Sequence, residues 1–174
     1  MDLSAPTLTT ARLILRAHTR EDYHALHTVW SDPLVTKFIG RRPSSAQDSW
    51  FRIMRYLGHW PMMGYGYFAL VDRQTGLYIG DVGIANHKRG LHPDFDDAPE
   101  TGWVLSPAAF GKGYATEAMT AVLDWFEAAH GVARTVCMIE TPHLASHNVA
   151  TKLGYQPFTQ VMIGDDPITL LERT

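Results

Sequence analysis

Leu105-Ser106-Pro107-Ala108-Ala109-Phe110-Gly111-Lys112-Gly113-Tyr114-Ala115-Thr116-Glu117-Ala118 runs a strand-like segment into a Gly-x-Gly turn that opens a helix. Two glycines let backbone approach a ligand with no Cβ between them. The first N–H groups of a helix point outward, unpaired, at the positive end of its dipole. The stretch is therefore suited to a diphosphate. A Walker loop is excluded, because Ser106 stands at its first Gly position and Gly113 replaces the magnesium-binding hydroxyl. A dinucleotide fingerprint fails at Thr116, where its third Gly belongs. Taken alone, Gly-x-Gly is also what an ordinary strand-to-helix turn looks like.

Outward from this turn the pattern is α/β. Residues 9–17 read as a first strand, closed by a Thr19-Arg20-Glu21-Asp22 helix start. Two helices follow, over 20–31 and from about residue 44, the second carrying Trp50, Ile53, Met54 and Leu57. Residues 65–72 and 77–85 read as antiparallel strands around an Arg73-Gln74-Thr75-Gly76 turn. After a polar segment over 86–99 come a strand at 100–105 and a helix over 113–130. That helix has an apolar face of Ala115, Ala118, Met119, Val122, Leu123 and Phe126 and stops at Gly131. A β-rich run at 134–140, a short helix over 146–153 and strands at 155–163 and 167–173 complete the order.

A chain of 174 residues, 45% hydrophobic and 11% aromatic, has enough apolar side chains for one core, and a single domain over 1–174 is expected. A net charge of -3 without a Lys/Arg block argues against nucleic acid as a partner. No apolar run approaches the roughly 18 residues of a membrane span, and no signal-peptide pattern opens the chain, so no membrane association and a cytoplasmic location are expected. Cys137, the only cysteine, flanked by Val136 and Met138, reads as a small core residue. His24-x-x-His27 and His143-x-x-x-His147 have helix-face spacing, but neither carries the Glu of a His-Glu-x-x-His metalloprotease, and no metal is expected. A metal-dependent hydrolase is the remotest reading. Asp94, Asp96 and Asp97 form either a solvated loop or an acidic rim that draws cationic amines. Trp30, Trp50, Trp60 and Tyr65 read as core rather than cofactor-stacking residues.

A second block, His143-Leu144-Ala145-Ser146-His147-Asn148-Val149-Ala150-Thr151-Lys152-Leu153-Gly154-Tyr155, follows about thirty residues after the first. Together the two resemble the GNAT acyl-CoA N-acyltransferase superfamily: the first its pyrophosphate loop, the second its Ser-x-x-Val-x-x-Lys-Leu-Gly-Phe/Tyr helix. The Gly-Lys-Gly-Tyr-Ala-Thr-Glu-Ala wording, the opening Leu8-Thr9-Thr10-Ala11-Arg12-Leu13-Ile14-Leu15-Arg16 and Ile79-Gly80-Asp81-Val82-Gly83-Ile84 are similar to the RimJ/RimL-like branch. The resemblance runs from about Leu8 to the C-terminus. It implies a single-domain fold with a mixed, mostly antiparallel twisted sheet of about seven strands, flanked by about four helices and with splayed central parallel strands. It further implies acetyl-CoA as cosubstrate and transfer to a primary amine by direct attack in a ternary complex. The acceptor is then a protein N-terminal α-amino group or a small amine such as a polyamine, amino acid or amine antibiotic. A non-catalytic acyl-CoA-binding regulatory module is the alternative, and a homodimer is common among similar proteins.

The resemblance places the cofactor on Trp103, Val104, Leu105, Gly111, Lys112, Gly113, Tyr114, Ala115, Thr116, His143 and Ser146, with the thioester near Val104 and Leu105. Three positions depart from the family pattern: Ala108 where the loop begins with Arg or Gln, His143 where Asn is usual, and Ala150 where several relatives carry a Tyr that protonates the CoA thiolate. A base for the amine is expected at Glu100, whose alternation with Gly102 and Val104 aims it at the splay. A solvated strand-edge carboxylate is the other reading of Glu100. Glu140 and Asp81 are weaker candidates for the base. Ser146 is expected as thioester contact or proton donor, and also as the N-cap of its helix.

Overall fold

The computed structural model describes residues 4–132 and 134–174. Its elements are β1 (Leu8–Thr9), β2 (Leu13–Arg16), α1 (Tyr23–Trp30), α2 (Pro33–Thr36), α3 (Ala46–Met63), β3 (Tyr67–Asp72), β4 (Tyr78–Ala85), α4 (Pro93–Asp96), β5 (Glu100–Leu105), α5 (Tyr114–His130), β6 (Thr135–Glu140), α6 (Leu144–Lys152), β7 (Gln156–Ile163) and β8 (Asp166–Arg173). The strands form one sheet in the order β1-β2-β3-β4-β5-β6-β8-β7. Every neighbouring pair is antiparallel except β5 and β6. The expected mixed α/β sheet is thus present, with eight strands rather than about seven.

The extra strand comes from residues 9–17, which are not one strand. The Thr10 hydroxyl accepts from Leu13 N–H at 3.1 Å and Thr10 N–H donates to Leu13 O at 3.0 Å, folding the run into a tight β1–β2 hairpin. The same hydroxyl donates to Glu117 on α5 at 2.6 Å. A side-chain bond to a residue over a hundred positions away leaves no trace in local periodicity.

Strand alternation sends neighbouring side chains to opposite faces, and each face has its own helical layer. Phe68 and Leu70 pack with Met119, Val122 and Phe126 of α5. Tyr67 and Ala85 pack with Leu26 and Trp30 of α1 and Ile53 and Tyr56 of α3. The 18-residue α3 begins in a capping box, Ser45 Oγ accepting from Asp48 N–H at 3.1 Å and Asp48 Oδ2 accepting from Ser45 N–H at 2.9 Å. α5 ends where expected, on Gly131 at φ +64°. Within the polar segment 86–99, His92 opens the one-turn α4.

Two polar clusters fix the layers to the sheet. Asp81, on β4 and fully buried, accepts from Trp30 Nε1 of α1 at 2.8 Å, from His18 Nε2 at 2.6 Å and from the Tyr78 hydroxyl. It is a structural hub, and it does not line the cleft described below. At the other layer, Glu117 in the first turn of α5 accepts from Thr10, from Arg12 N–H at 2.9 Å and from Arg12 Nε at 2.7 Å, while Arg12 Nη1 donates to Lys112 O at 2.9 Å. Burial pushes the Glu117 carboxyl up, but these donors outweigh it and hold its pKa below the usual carboxylate range. The Gly-x-Gly turn is thereby braced from the N-terminal hairpin.

Removing the Asp81 carboxylate leaves the buried Trp30 and His18 and the part-buried Tyr78 without their acceptor, a loss of about 1–3 kcal/mol for each unsatisfied buried donor. Asp81→Ala is expected to lower the denaturant midpoint accordingly in equilibrium unfolding, and a change under about 1 kcal/mol would show that the hub carries little of the α1 docking.

Candidate active site

The parallel strands β5 and β6 meet at one residue pair, Glu100 with Val136. On its other edge β5 is paired with β4 throughout, from Glu100 opposite Ala85 to Leu105 opposite Gly80. Beyond the single bridge, the β6-facing edge of β5 has no partner strand among the described residues, so its peptide groups are open to a ligand. Buried hydroxyls hold the strands together at the closed end. Tyr155 Oη lies 2.8 Å from Thr101 Oγ1 and 2.6 Å from Thr135 Oγ1, and Thr101 donates to Val136 O at 3.2 Å. Burial pushes the Tyr155 phenol up to about 12, so the knot stays uncharged.

The gap opens into a cleft of about 350 Å³. Glu100 to Val104 form one wall, Cys137 to Glu140 another, and His143 and Ser146 stand at its α6 end. Trp30, Arg52, Arg55 and Tyr56 come over it from the helical layer. Gly102 permits a close approach here: a Cβ at that position would lie 2.1 Å from the Tyr67 hydroxyl, so that hydroxyl reaches into the cleft only because the side chain is hydrogen. Burial raises the Tyr67 pKa, which keeps it a neutral hydroxyl.

At the open end of β5 the chain turns through Pro107–Ala109 into the glycine loop. Gly111 and Gly113 adopt φ +71° and +77°. The N–H groups of Gly111 through Thr116 make no hydrogen bond to the protein among the described residues; the first bond into α5 is Glu117 N–H to Gly113 O at 3.0 Å. The loop follows β5 directly in the chain, after the short turn at Pro107–Ala109. Tyr114 is held differently, its hydroxyl donating to Asp72 at 3.1 Å and its ring lying under Arg12. Trp103 and Leu105 turn toward the α5 core, and Val104 packs against the α1–α3 layer.

Glu100 lies in the cleft with Gly102 and Val104 on its face, and it is not solvated. It is 5% exposed and bidentate to Arg89, at 2.7 Å to Nε and 2.8 Å to Nη2. Burial raises its pKa, against the pull of Arg89. Glu140 also faces the cleft, with Arg41 at 3.4 Å. Ser146 is not a helix cap, because α6 begins at Leu144 after His143 and puts Ser146 in the first turn. Its hydroxyl lies 3.4 Å from His143 Nε2. The His143 ring stacks on Phe38, and burial, followed by His147, lowers its pKa, so the imidazole is neutral and able to share a proton with Ser146. Ala150 is fully buried in the core.

Cys137 also lines the cleft, but burial raises its thiol pKa and keeps it protonated. Trp50 departs from the core reading, being 39% exposed. The acidic loop does not rim the cleft: Asp96 accepts from Gly90 and His92 N–H groups, Asp94 lies 3.9 Å from His92, and Asp97 lies 4.0 Å from Lys88. Sequence reasoning missed Tyr67, Arg89, Arg52 and Arg55. Only the last two left a signal, their i, i+3 spacing on a helix.

Residues 12–156 match the family model described as an acetyltransferase (GNAT) domain. An uncharacterized N-acetyltransferase, p20, of Bacillus licheniformis is 26% identical over 151 residues, 86% of this chain and 82% of its own. A GNAT-family protein from Bordetella pertussis superposes with a TM-score of 0.87 at 28% identity, over 97% of this chain and 99% of that one. An acetyltransferase from Agrobacterium tumefaciens gives 0.83 at 27% identity, over 98% and 95%. The fold alone is shared with a spermidine N-acetyltransferase from Vibrio cholerae in complex with CoA and spermine, 16% identical, and with RimL, a ribosomal L7/L12 alpha-N-protein acetyltransferase, 15% identical. With the split sheet, the open glycine loop and a family match over most of its length, the chain belongs to the GNAT family of N-acetyltransferases.

Proposed function

We propose that this chain moves the acetyl group of acetyl-CoA to a primary α-amino group by direct attack in a ternary complex. The observation that carries this reading is the pair of unbonded backbone stretches, the N–H groups of Gly111 to Thr116 and the edge of β5 that precedes them in the chain. Donors at a helix start suit a pyrophosphate, and an open strand edge suits the amides of pantetheine. A neighbour of the same fold crystallised with CoA supports the ligand. The wording of the glycine loop, which resembles the RimJ/RimL-like branch, supports an α-amino acceptor.

In this reading Gly111, Lys112, Gly113, Tyr114, Ala115 and Thr116 hold the diphosphate, and Trp103, Val104 and Leu105 present backbone to pantetheine and thioester. A backbone N–H near Val104 takes the charge that develops on the acyl oxygen. The amine nitrogen bonds to the carbonyl carbon, the C–S bond breaks, and the CoA thiolate leaves and takes up a proton. In this reading Ser146, 3.4 Å from His143 Nε2, gives the thiolate its proton, since Ala150 has none to give. Holding the two reactants in line supplies a large part of the acceleration.

The ammonium must first lose its proton. Glu100 lies four residues from Val104, about 13 Å along an extended strand, so it serves as base through water rather than by touching the reacting nitrogen. Its raised pKa brings it nearer the working range of a base. It must be deprotonated to act, so turnover rises with pH through that raised pKa.

Calorimetric titration with acetyl-CoA, followed by thiol release on adding amines, tests the reading; binding with no release on any amine would favour a regulatory module. Gly113→Asp puts a carboxylate and a strained φ at the phosphate loop, and a loss of acetyl-CoA affinity of tenfold or more is expected, about 1.4 kcal/mol. Glu100→Gln is expected to lower kcat about 100-fold, to abolish the acidic limb of the pH profile and to spare acetyl-CoA affinity. An acidic limb unchanged in that variant removes Glu100 as the base. Ser146→Ala is expected to slow thiol release by about tenfold at unchanged acetyl-CoA affinity; an unaltered rate would leave the leaving thiolate to solvent.

A further inference from the structure

The helical wall of the cleft carries positive charge that the protein does not neutralise. Arg52 and Arg55 are three residues apart on α3, so they share a face, and both line the cleft. Neither makes a hydrogen bond or an ion pair within 4 Å among the described residues. The guanidinium of Arg52 lies 3.4 Å from the centroid of the Trp30 ring, and that of Arg55 lies 5.8 Å from the Tyr56 ring. The Nε of Arg52 is buried and without a hydrogen-bond partner.

The neighbouring charges are already committed. Glu100 is bidentate to Arg89, Glu140 faces Arg41, and Asp48, one turn before Arg52, takes the Ser45 N–H and hydroxyl and lies 3.2 Å from Arg42. His87, also in the cleft, has its pKa lowered to about 3 by burial, then by Arg89 and Arg55, so it adds no charge. A buried guanidinium donor without an acceptor is unfavourable, because it has given up water for no partner. Two guanidinium forks on one cleft wall complete themselves on a carboxylate, and they repel a polycation.

The geometry points to an acceptor that carries a carboxylate as well as its amine, with Arg52 and Arg55 holding the carboxylate while the amino group faces β5. This deepens the transferase reading above and rests on it. The transfer is balanced as there: the acceptor ammonium and acetyl-CoA give the N-acetyl product, CoA as its thiol and one proton to solvent. The carboxylate belongs either to a free amino acid or to an acidic side chain of a peptide, and the two sources are separable by experiment.

Turnover by thiol release is to be measured for free amino acids against their carboxamides, for peptide amides beginning Glu-Glu against Gln-Gln, and for spermidine. The expected result is a kcat/KM at least tenfold higher for the best carboxylate-bearing amine than for its uncharged counterpart. That ratio should collapse toward one in Arg52→Gln and in Arg55→Gln, with the affinity for acetyl-CoA unchanged. Arg55 is exposed and has no polar partner among the described residues, so Arg55→Gln remains a fair test even if the loss of the Arg52–Trp30 stack disturbs folding. A preference in the free-acid pairs assigns the carboxylate to a small amino acid, and one in the peptide pairs assigns it to a side chain. Equal use of acids and amides, a preference for spermidine, or an acid preference that survives both substitutions overturns the proposal. The same pairs titrated calorimetrically into CoA-saturated protein separate the two readings. Arginine-dependent binding of the acid without turnover supports the carboxylate site and removes the transferase, whereas no selective binding and no turnover removes both.

Discussion

The parting of β5 and β6 after one bridge is the constraint on which the remaining structure depends. A parallel pair inside a sheet ordinarily satisfies both edges of each strand, and an unpaired buried edge is costly. Here the cost is confined to a short stretch and bounded. β4 secures the far edge of β5 and β8 secures β6 over six residue pairs, while the hydroxyls of Thr101, Thr135 and Tyr155 stop the opening from running to the base. Because both strands are anchored on their outer sides, the gap is a fixed feature, and a ligand that supplies amide partners enters a prepared edge with little reorganisation.

The polar clusters on the two faces share a logic. Asp81 ties β4 to α1 through Trp30, and the same Trp30 ring carries Arg52 over the cleft. Glu117 ties α5 to the N-terminal hairpin, and its partner Arg12 also binds the carbonyl of Lys112. Each buried or half-buried carboxylate thus sets the position of a wall or a loop of the site from outside it. Substitutions at these carboxylates would show at the site without touching a ligand.

Charge in the cleft is divided between paired and unpaired groups, and the division matters more than the total. Arg89 and Glu100 form a bidentate pair whose net field is small, although burial still raises the carboxyl pKa. Arg52 and Arg55 have no such partner among the described residues, and the half-buried Arg52 is less screened than a charge on an open surface. The net charge of -3 over the whole chain says nothing of this local excess.

By itself the sequence determined the order and type of the longer elements, because these follow from local periodicity and turn chemistry, but not the one-turn helices α2 and α4. Glu100–Leu105, the helix stop at Gly131 and the glycine loop were all legible, since each is encoded by residues adjacent in the chain. The two paired motifs pointed to the family for the same reason. The first strand was misread because Thr10 bonds both to Leu13 and to Glu117, and Ser146 was misplaced because a helix can begin on an uncapped His143. Only the tertiary structure decided that Asp81 is a hub, that Glu100 is locked to Arg89, and that Arg52 and Arg55 have no hydrogen-bond or ion-pair partner among the described residues. Whether a charge is neutralised depends on which residues, distant in sequence, come within hydrogen-bonding distance, and that distance exists only once the sheet and both helical layers have closed around it.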